Sequence, residues 1–239
     1  MLRTKFGAAL ASLAVTAGAA TVLAAAPAYA DTATTAALAM GGRTGLAAHY
    51  GSYIGTFSGG VSDGSNPVTT GAADLEQRLP GKSWKVVKTD QDVSDGVSFG
   101  NYGSKARGNV SYRLHYLGGT DGDTATTYST SYSNTVIIRT GWEMAPHAMC
   151  TTKCRFYGKL SPKAKHHKIL LQVKHGKSWK RYKVLHTNGH SRWTATVQPS
   201  RGKGTYYRAV VGKTKSLIKT YALGHFTIIG KSSYAVSRH

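Results

Sequence analysis

The chain has 239 residues, with 31 Lys plus Arg against only 10 Asp plus Glu, a formal net charge of +21 and just two cysteines. Two cysteines exclude a disulfide-dense scaffold, and the scarcity of carboxylates leaves little material for paired-carboxylate catalysis. A composition rich in Gly, Thr, Ser, Tyr and Val favours strands and turns over helices.

In chain order, Arg3 and Lys5 precede an apolar stretch from Phe6 to Ala25, followed by Pro27 and Ala28-Tyr29-Ala30. This is the pattern of a secretion signal with an Ala-x-Ala cleavage site, so residues 1–30 are expected to be a signal peptide and the mature chain to begin at Asp31. No Cys stands directly after the apolar stretch, where a lipoprotein would carry one, and no later run approaches the ~18 apolar residues of a membrane helix. A secreted or extracellular product, held at the cell wall without a covalent anchor if at all, is the expectation.

Beyond the signal, short β-rich segments bounded by Gly, Asn and Ser predict strands at Gly55–Val61, Ala73–Leu79, Trp84–Thr89, Val97–Tyr102, Asn109–Tyr116 and Ser133–Arg139. A second series is predicted at Arg155–Leu160, Lys168–Lys174, Trp179–His186, Arg192–Gln198, Gly204–Val211 and Leu223–Ile229. The two series echo one another: Gly81-Lys82-Ser83-Trp84-Lys85 returns as Gly176-Lys177-Ser178-Trp179-Lys180, Gln77 matches Gln172, and Tyr112-Arg113 matches Tyr207-Arg208. Phe57-Ser58-Gly59 likewise matches Phe156-Tyr157-Gly158. A repeat this long suits tandem domains rather than a solenoid.

Alternation in Val110-x-Tyr112-x-Leu114-x-Tyr116 and Tyr207-x-Ala209-x-Val211 places those side chains toward a core and Arg113 and Arg208 toward water. Trp84 and Trp179 are each followed three residues later by Val87 or Tyr182, an interval that breaks alternation and predicts a β-bulge, with the Trp as core filler.

The ordered series Leu-x-Gln-Arg or Leu-Leu-Gln-Val, Gly-Lys-Ser-Trp, a polar turn, Val-x-Phe or Trp-x-Ala, and Tyr-Arg resembles the bacterial immunoglobulin-like (Ig-like) repeats of secreted actinobacterial proteins. The resemblance spans most of residues 33–230. It implies an all-β chain of two antiparallel sandwiches, near residues 31–140 and 141–239 with a short joint at Thr140–Ala145, used for spacing, adhesion or binding without catalysis.

Cys150 and Cys154 stand at the start of the second copy, and in an exported chain the expectation is a disulfide between them. Eight of the ten histidines follow residue 140, among them His166, His186 and His190, but their spacing matches no compact metal motif and an exposed polar role is the simpler expectation. Asp90-Gln91-Asp92-Val93-Ser94-Asp95-Gly96 invites a calcium loop, yet Asp95 stands where an EF-hand requires Gly and Asn101 where it requires a carboxylate, so a turn is expected. No nucleophile elbow and no zinc-protease motif is present, and no cofactor is implied.

The charge is lopsided. Residues 31–140 hold nine basic and nine acidic side chains, whereas residues 141–239 hold twenty basic residues against Glu143 alone. Lys163, Lys165, Lys168, Lys174, Lys177, Lys180, Arg181 and Lys183 form the densest runs and are the candidate polyanion-binding residues. The expected partners are an anionic envelope polymer or acidic polysaccharide, with non-specific nucleic acid as a further polyanion. The expected function is that of a secreted non-enzymatic binding, adhesion or spacer protein. The alternative is a secreted hydrolase or metal-binding protein built on the histidine-rich loops of the second copy.

Overall fold

Period-two patterning interrupted by turn residues gives a chain of strands joined by short connections. A computed structural model describes residues 31–239 except 91, 101–104, 152, 201, 230–231 and 239; the expected signal peptide and His239 therefore lie outside the described residues. The strands of the first half are β1 (Thr35–Met40), β2 (Gly45–His49), β3 (Phe57–Ser62), β4 (Ala73–Arg78), β5 (Lys85–Asp90), β6 (Val97–Gly100), β7 (Val110–Tyr116), β8 (Gly119–Thr120), β9 (Thr127–Tyr128), β10 (Ser131–Tyr132) and β11 (Val136–Gly141). Those of the second are β12 (His147–Cys150), β13 (Cys154–Lys159), β14 (Lys168–His175), β15 (Ser178–His186), β16 (Arg192–Val197), β17 (Thr205–Val211), β18 (Thr220–Ile229) and β19 (Ser232–Arg238).

The fold is all-β, with mostly antiparallel sheets. In the first half β1-β3-β6 form one sheet and β2-β11-β7-β4-β5 another, with β10 on β7 and a separate β8-β9 pair. In the second half the orders are β12-β13-β16 and β15-β14-β17-β18-β19. Among the described ladders only β2–β11 is parallel. Its counterpart at the far edge of the second large sheet, β19 on β18, is antiparallel.

Each half has its own core, drawn from both of its sheets. Phe57, Leu75, Phe99, Leu114, Tyr116 and Ile138 belong to one buried cluster, and Phe156, Ile169, Leu171, Trp193, Tyr207 and Phe226 to the other. Gly59 and Gly158, matched in the sequence, are explained here: a Cβ on Gly59 would run into the Ala37 carbonyl, and one on Gly158 would lie 2.6 Å from the Met144 carbonyl oxygen. A side chain at either position would push a neighbouring strand or loop away from the core.

All twelve predicted segments coincide with strands, within a few residues at their ends. The predicted bulges are also present: the β4–β5 register shifts between Leu75 and Glu76, leaving Val87 as the extra residue, and the β14–β15 register shifts between Leu171 and Gln172, leaving Tyr182. One sequence match is corrected by the ladders. Glu76 pairs with Arg113 and Gln172 with Arg208, so the counterpart of Gln172 is Glu76 rather than the identical Gln77. Measured between equivalent ladder partners, Glu76 to Val86 and Gln172 to Arg181, the first hairpin is one residue longer than the second, which brings the two glutamines into apparent alignment when only sequence spacing is used.

The expected joint at Thr140–Ala145 is mostly interior. Thr140, Trp142 and Met144 are buried. The Tyr50 amide donates to the Gly141 carbonyl (2.9 Å), the Ile218 amide to the Thr140 carbonyl (2.8 Å), and the Trp142 amide to Thr220 Oγ1 (2.9 Å). The Trp142 indole N–H donates to the Gly212 carbonyl (3.1 Å). By their contacts residues 31–239 form one compact unit.

Candidate binding surface

The outer face of the sheet β15-β14-β17-β18-β19 carries the best-organised polar and aromatic side chains of the basic half. Ile169 and Leu171 point into the core, so alternation puts Lys168, Leu170, Gln172 and Lys174 on the opposite face. Residues directly opposed in a ladder share a face. Gln172 opposes Arg181 and Arg208, and Lys174 opposes Trp179, which collects Lys168, Lys174, Arg181, Arg208 and Trp179 on one surface.

These side chains interlock. Arg208 Nε donates to Gln172 Oε1 at 2.7 Å, while its guanidinium lies 4.5 Å from the Trp179 ring centre. Lys174 Nζ lies 5.5 Å from the centre of the Tyr206 ring, and Tyr206 stacks on His225 at 4.3 Å. Tyr206 and Tyr221 are 43% and 52% exposed, leaving aromatic faces for a partner. Each cation–π pair at such half-exposed sites is worth about 0.5–1 kcal/mol.

The reading of Trp84 and Trp179 as core filler is overturned. Neither ring joins a buried cluster. Trp84 lies under the guanidinium groups of Arg78 (4.6 Å) and Arg113 (4.4 Å), and Trp179 under Arg208. The bulge is the physical reason: it breaks the alternation between the Trp and the residue three positions on, so Val87 packs on the first core and Tyr182 meets the Tyr207 ring while each Trp sits on the outer face. Arg113 and Arg208 accordingly lie on indole rings rather than freely in water.

The eight candidate cations are all exposed but do not form one patch. Lys168, Lys174 and Arg181 share the outer face. Lys180 opposes Val173 and Lys183 opposes Leu171, which places both on the core-ward side of the edge strand β15, and Lys177 sits at the hairpin tip. Lys163 and Lys165 belong to the β13–β14 connection, tied to the β15–β16 turn by the Ala164 amide donating to Ser191 Oγ (2.8 Å) and Thr187 Oγ1 donating to the Ala164 carbonyl (2.5 Å). The sequence turns Arg208 outward and offers Tyr206 as a stacking ring, but the candidate cations omit Arg208, and Tyr221 is missed. The strand β17 alternation was the available signal, since Tyr206 and Arg208 are out of phase with Tyr207 and Ala209.

Cys150 and Cys154 are disulfide-bonded and directly opposed at the end of the β12–β13 hairpin. Asp92 Oδ1 accepts the Ser94 amide at 2.8 Å in a turn, and these Ser94 hydrogen bonds lower the Asp92 carboxyl below its ordinary range. Gln91 and Asn101 of the calcium reading lie outside the described residues. Among the described residues, no three His, Cys, Asp or Glu side chains lie together as metal ligands.

One histidine–hydroxyl arrangement occurs in the first half. His115 Nε2 lies 3.1 Å from Thr130 Oγ1 and His115 Nδ1 is 3.7 Å from Glu76. Thr130 spends its proton on the Tyr116 carbonyl (2.6 Å) and Glu76 is bound by Arg113, so the set works as a hydrogen-bonded brace. Among the described residues, no helix is long and apolar enough to cross a membrane. No protein-family model and no curated protein sequence matches the chain.

Proposed function

We propose that this is a secreted, non-enzymatic protein of two Ig-like domains, whose basic second domain attaches to an anionic envelope polymer or acidic polysaccharide. The strand orders support the Ig-like part of the reading: each half has a three-stranded sheet, β1-β3-β6 or β12-β13-β16, and a larger sheet, β2-β11-β7-β4-β5 or β15-β14-β17-β18-β19. Tyr207, near the start of β17, donates its hydroxyl to the Gln198 carbonyl (3.0 Å) across the preceding connection, in the manner of the tyrosine corner of such folds.

The observation that carries the binding role is the concentration of twenty cations against one carboxylate in residues 141–239, with Lys168, Lys174, Arg181 and Arg208 gathered beside exposed Tyr206 and Tyr221. Closely spaced cations attract polyanions over a Debye length, and flat aromatic rings add stacking on sugars. The neutral first domain then serves as spacer or as the face toward a protein partner.

The direct experiment is extraction of intact producing cells with increasing salt. An electrostatically held protein leaves the wall without detergent. Release only by detergent or wall digestion overturns the reading.

A further inference from the structure

We propose that the hollow where the two halves meet binds a small amphipathic anion, an apolar body bearing a carboxylate or a phosphate. The hollow measures about 740 Å³, within the range that accepts a ligand of drug-like size. Four cations line it: Lys82, Lys105 and Arg107 from the first half and Lys215 from the second. Among the described residues no Asp or Glu lines it, and none of these four cations takes part in an ion pair. Its apolar wall includes Ile54, Leu79 and Val110.

The two halves of this lining call for two parts of one ligand. Like charges around a concave, low-dielectric wall reinforce one another and raise the local potential for an anion. A bare inorganic ion meets the cations but leaves the apolar wall in water; a neutral apolar molecule covers the wall but leaves the cations uncompensated. An amphipathic anion satisfies both.

The frame is fixed before any ligand arrives. The Asn109 amide donates to the Ser216 carbonyl (2.7 Å), Asn109 Oδ1 accepts the Thr140 amide (2.8 Å), and Gln77 Nε2 donates to the Tyr112 hydroxyl (2.8 Å). The first of these bonds joins the two halves beside the hollow and the other two brace its first-half wall, so little ordering is left to oppose binding. The four cations are distinct from those on the outer sheet face, and the site stands or falls independently of polymer attachment.

The test uses residues 31–239 and the fluorescent dye anilinonaphthalene sulfonate, an amphipathic anion, with uncharged phenylnaphthylamine and inorganic phosphate as its two halves. Saturable one-to-one dye binding is expected, with phenylnaphthylamine at least ~10-fold weaker and decanoate or decyl phosphate displacing the dye, whichever headgroup the site prefers. Inorganic phosphate should displace it far less well than the matching alkyl anion. Arg107→Ser with Lys215→Ser should weaken dye binding ~10-fold or more, the size of one charge-assisted hydrogen bond, whereas Arg107→Lys with Lys215→Arg should retain it. Lys168→Ser with Lys174→Ser, on the outer face, should leave it unchanged. Absent or non-saturable binding, equal binding of the neutral dye, displacement by neither alkyl anion, or indifference to the Arg107/Lys215 pair in protein with unaltered circular dichroism overturns the proposal.

Discussion

The outer faces of the two large sheets share a design and differ in one acceptor. In the first half Arg113 lies between the rings of Trp84 and Tyr132 and its charge is met by the Glu76 carboxylate. In the second half Arg208 lies on Trp179 and bonds the neutral amide of Gln172 at the same ladder position. The arginine–indole contact therefore belongs to the shared scaffold, while a carboxylate neutralises it in one half and an amide leaves it cationic in the other. The face of the basic half is charged because its acids are missing, as much as because lysines are added.

The largest expected effect tests whether that difference decides binding. Affinity of residues 31–239 for a polyphosphate or dextran sulfate should fall ~100-fold or more between roughly 50 and 200 mM salt through counterion release. Lys168→Ser, Lys174→Ser and Arg181→Ser together should lower the log–log salt slope by about 2 to 3, measured by fluorescence titration. Arg43→Ser, Lys85→Ser and Arg139→Ser in the first half should not change it. Equal losses from both triple variants would erase the functional contrast between the halves.

Next in size is an alkaline loss of stability. Burial, reinforced by the neighbouring Tyr182, pushes the Tyr207 phenol up to about 12. Because the folded value lies above the unfolded one near 10, the stabilisation is present below pH ~10 and lost as pH rises toward 12, by roughly 2 kcal/mol at 1.36 kcal/mol per unit. Urea midpoints across that range should show the decline, and Tyr207→Phe should flatten it while costing about 1 kcal/mol at neutral pH through the lost bond to Gln198. Burial also raises the Tyr116 phenol of the first half, so Tyr116→Phe is the matched comparison.

Trp84→Ala and Trp179→Ala should each cost about 1 kcal/mol, from the cation–π contact and partial burial, against the ~3–5 kcal/mol of an aromatic removed from a core. Chemical denaturation separates the two values, and a core-sized cost would reinstate the Trp as core filler. The smallest expected effect comes from exchanging the distinguishing acceptor. Gln172→Glu should change stability by no more than about 1 kcal/mol and weaken polyanion binding several-fold as Arg208 gains a carboxylate partner. The reciprocal Glu76→Gln should cost about 1 kcal/mol or slightly more, since Arg113 and His115 both face that carboxylate.

The all-β class, twelve of the strands, the two bulges, the disulfide and the segregation of charge were legible in the chain alone, because each is written in local periodicity, turn chemistry or composition. Among the longer strands β1, β2, β12 and β19 escaped that reading: in β1, Ala36, Leu38 and Met40 alternate correctly, but a run dominated by small residues carries a weak apolar signal. The placing of the tryptophans needed the folded chain, since a bulge inverts the face that simple alternation assigns. The tertiary structure also decided which cations are neighbours. Lys180 and Arg181 are adjacent in sequence yet fall on opposite faces, while Arg208 reaches the Gln172 side chain from β17 through the ladder. The hollow between the halves was invisible in the sequence for the same reason: Arg107 and Lys215 are separated by more than a hundred residues, and the hydrogen-bonded junction that includes Asn109 and Ser216 brings them together.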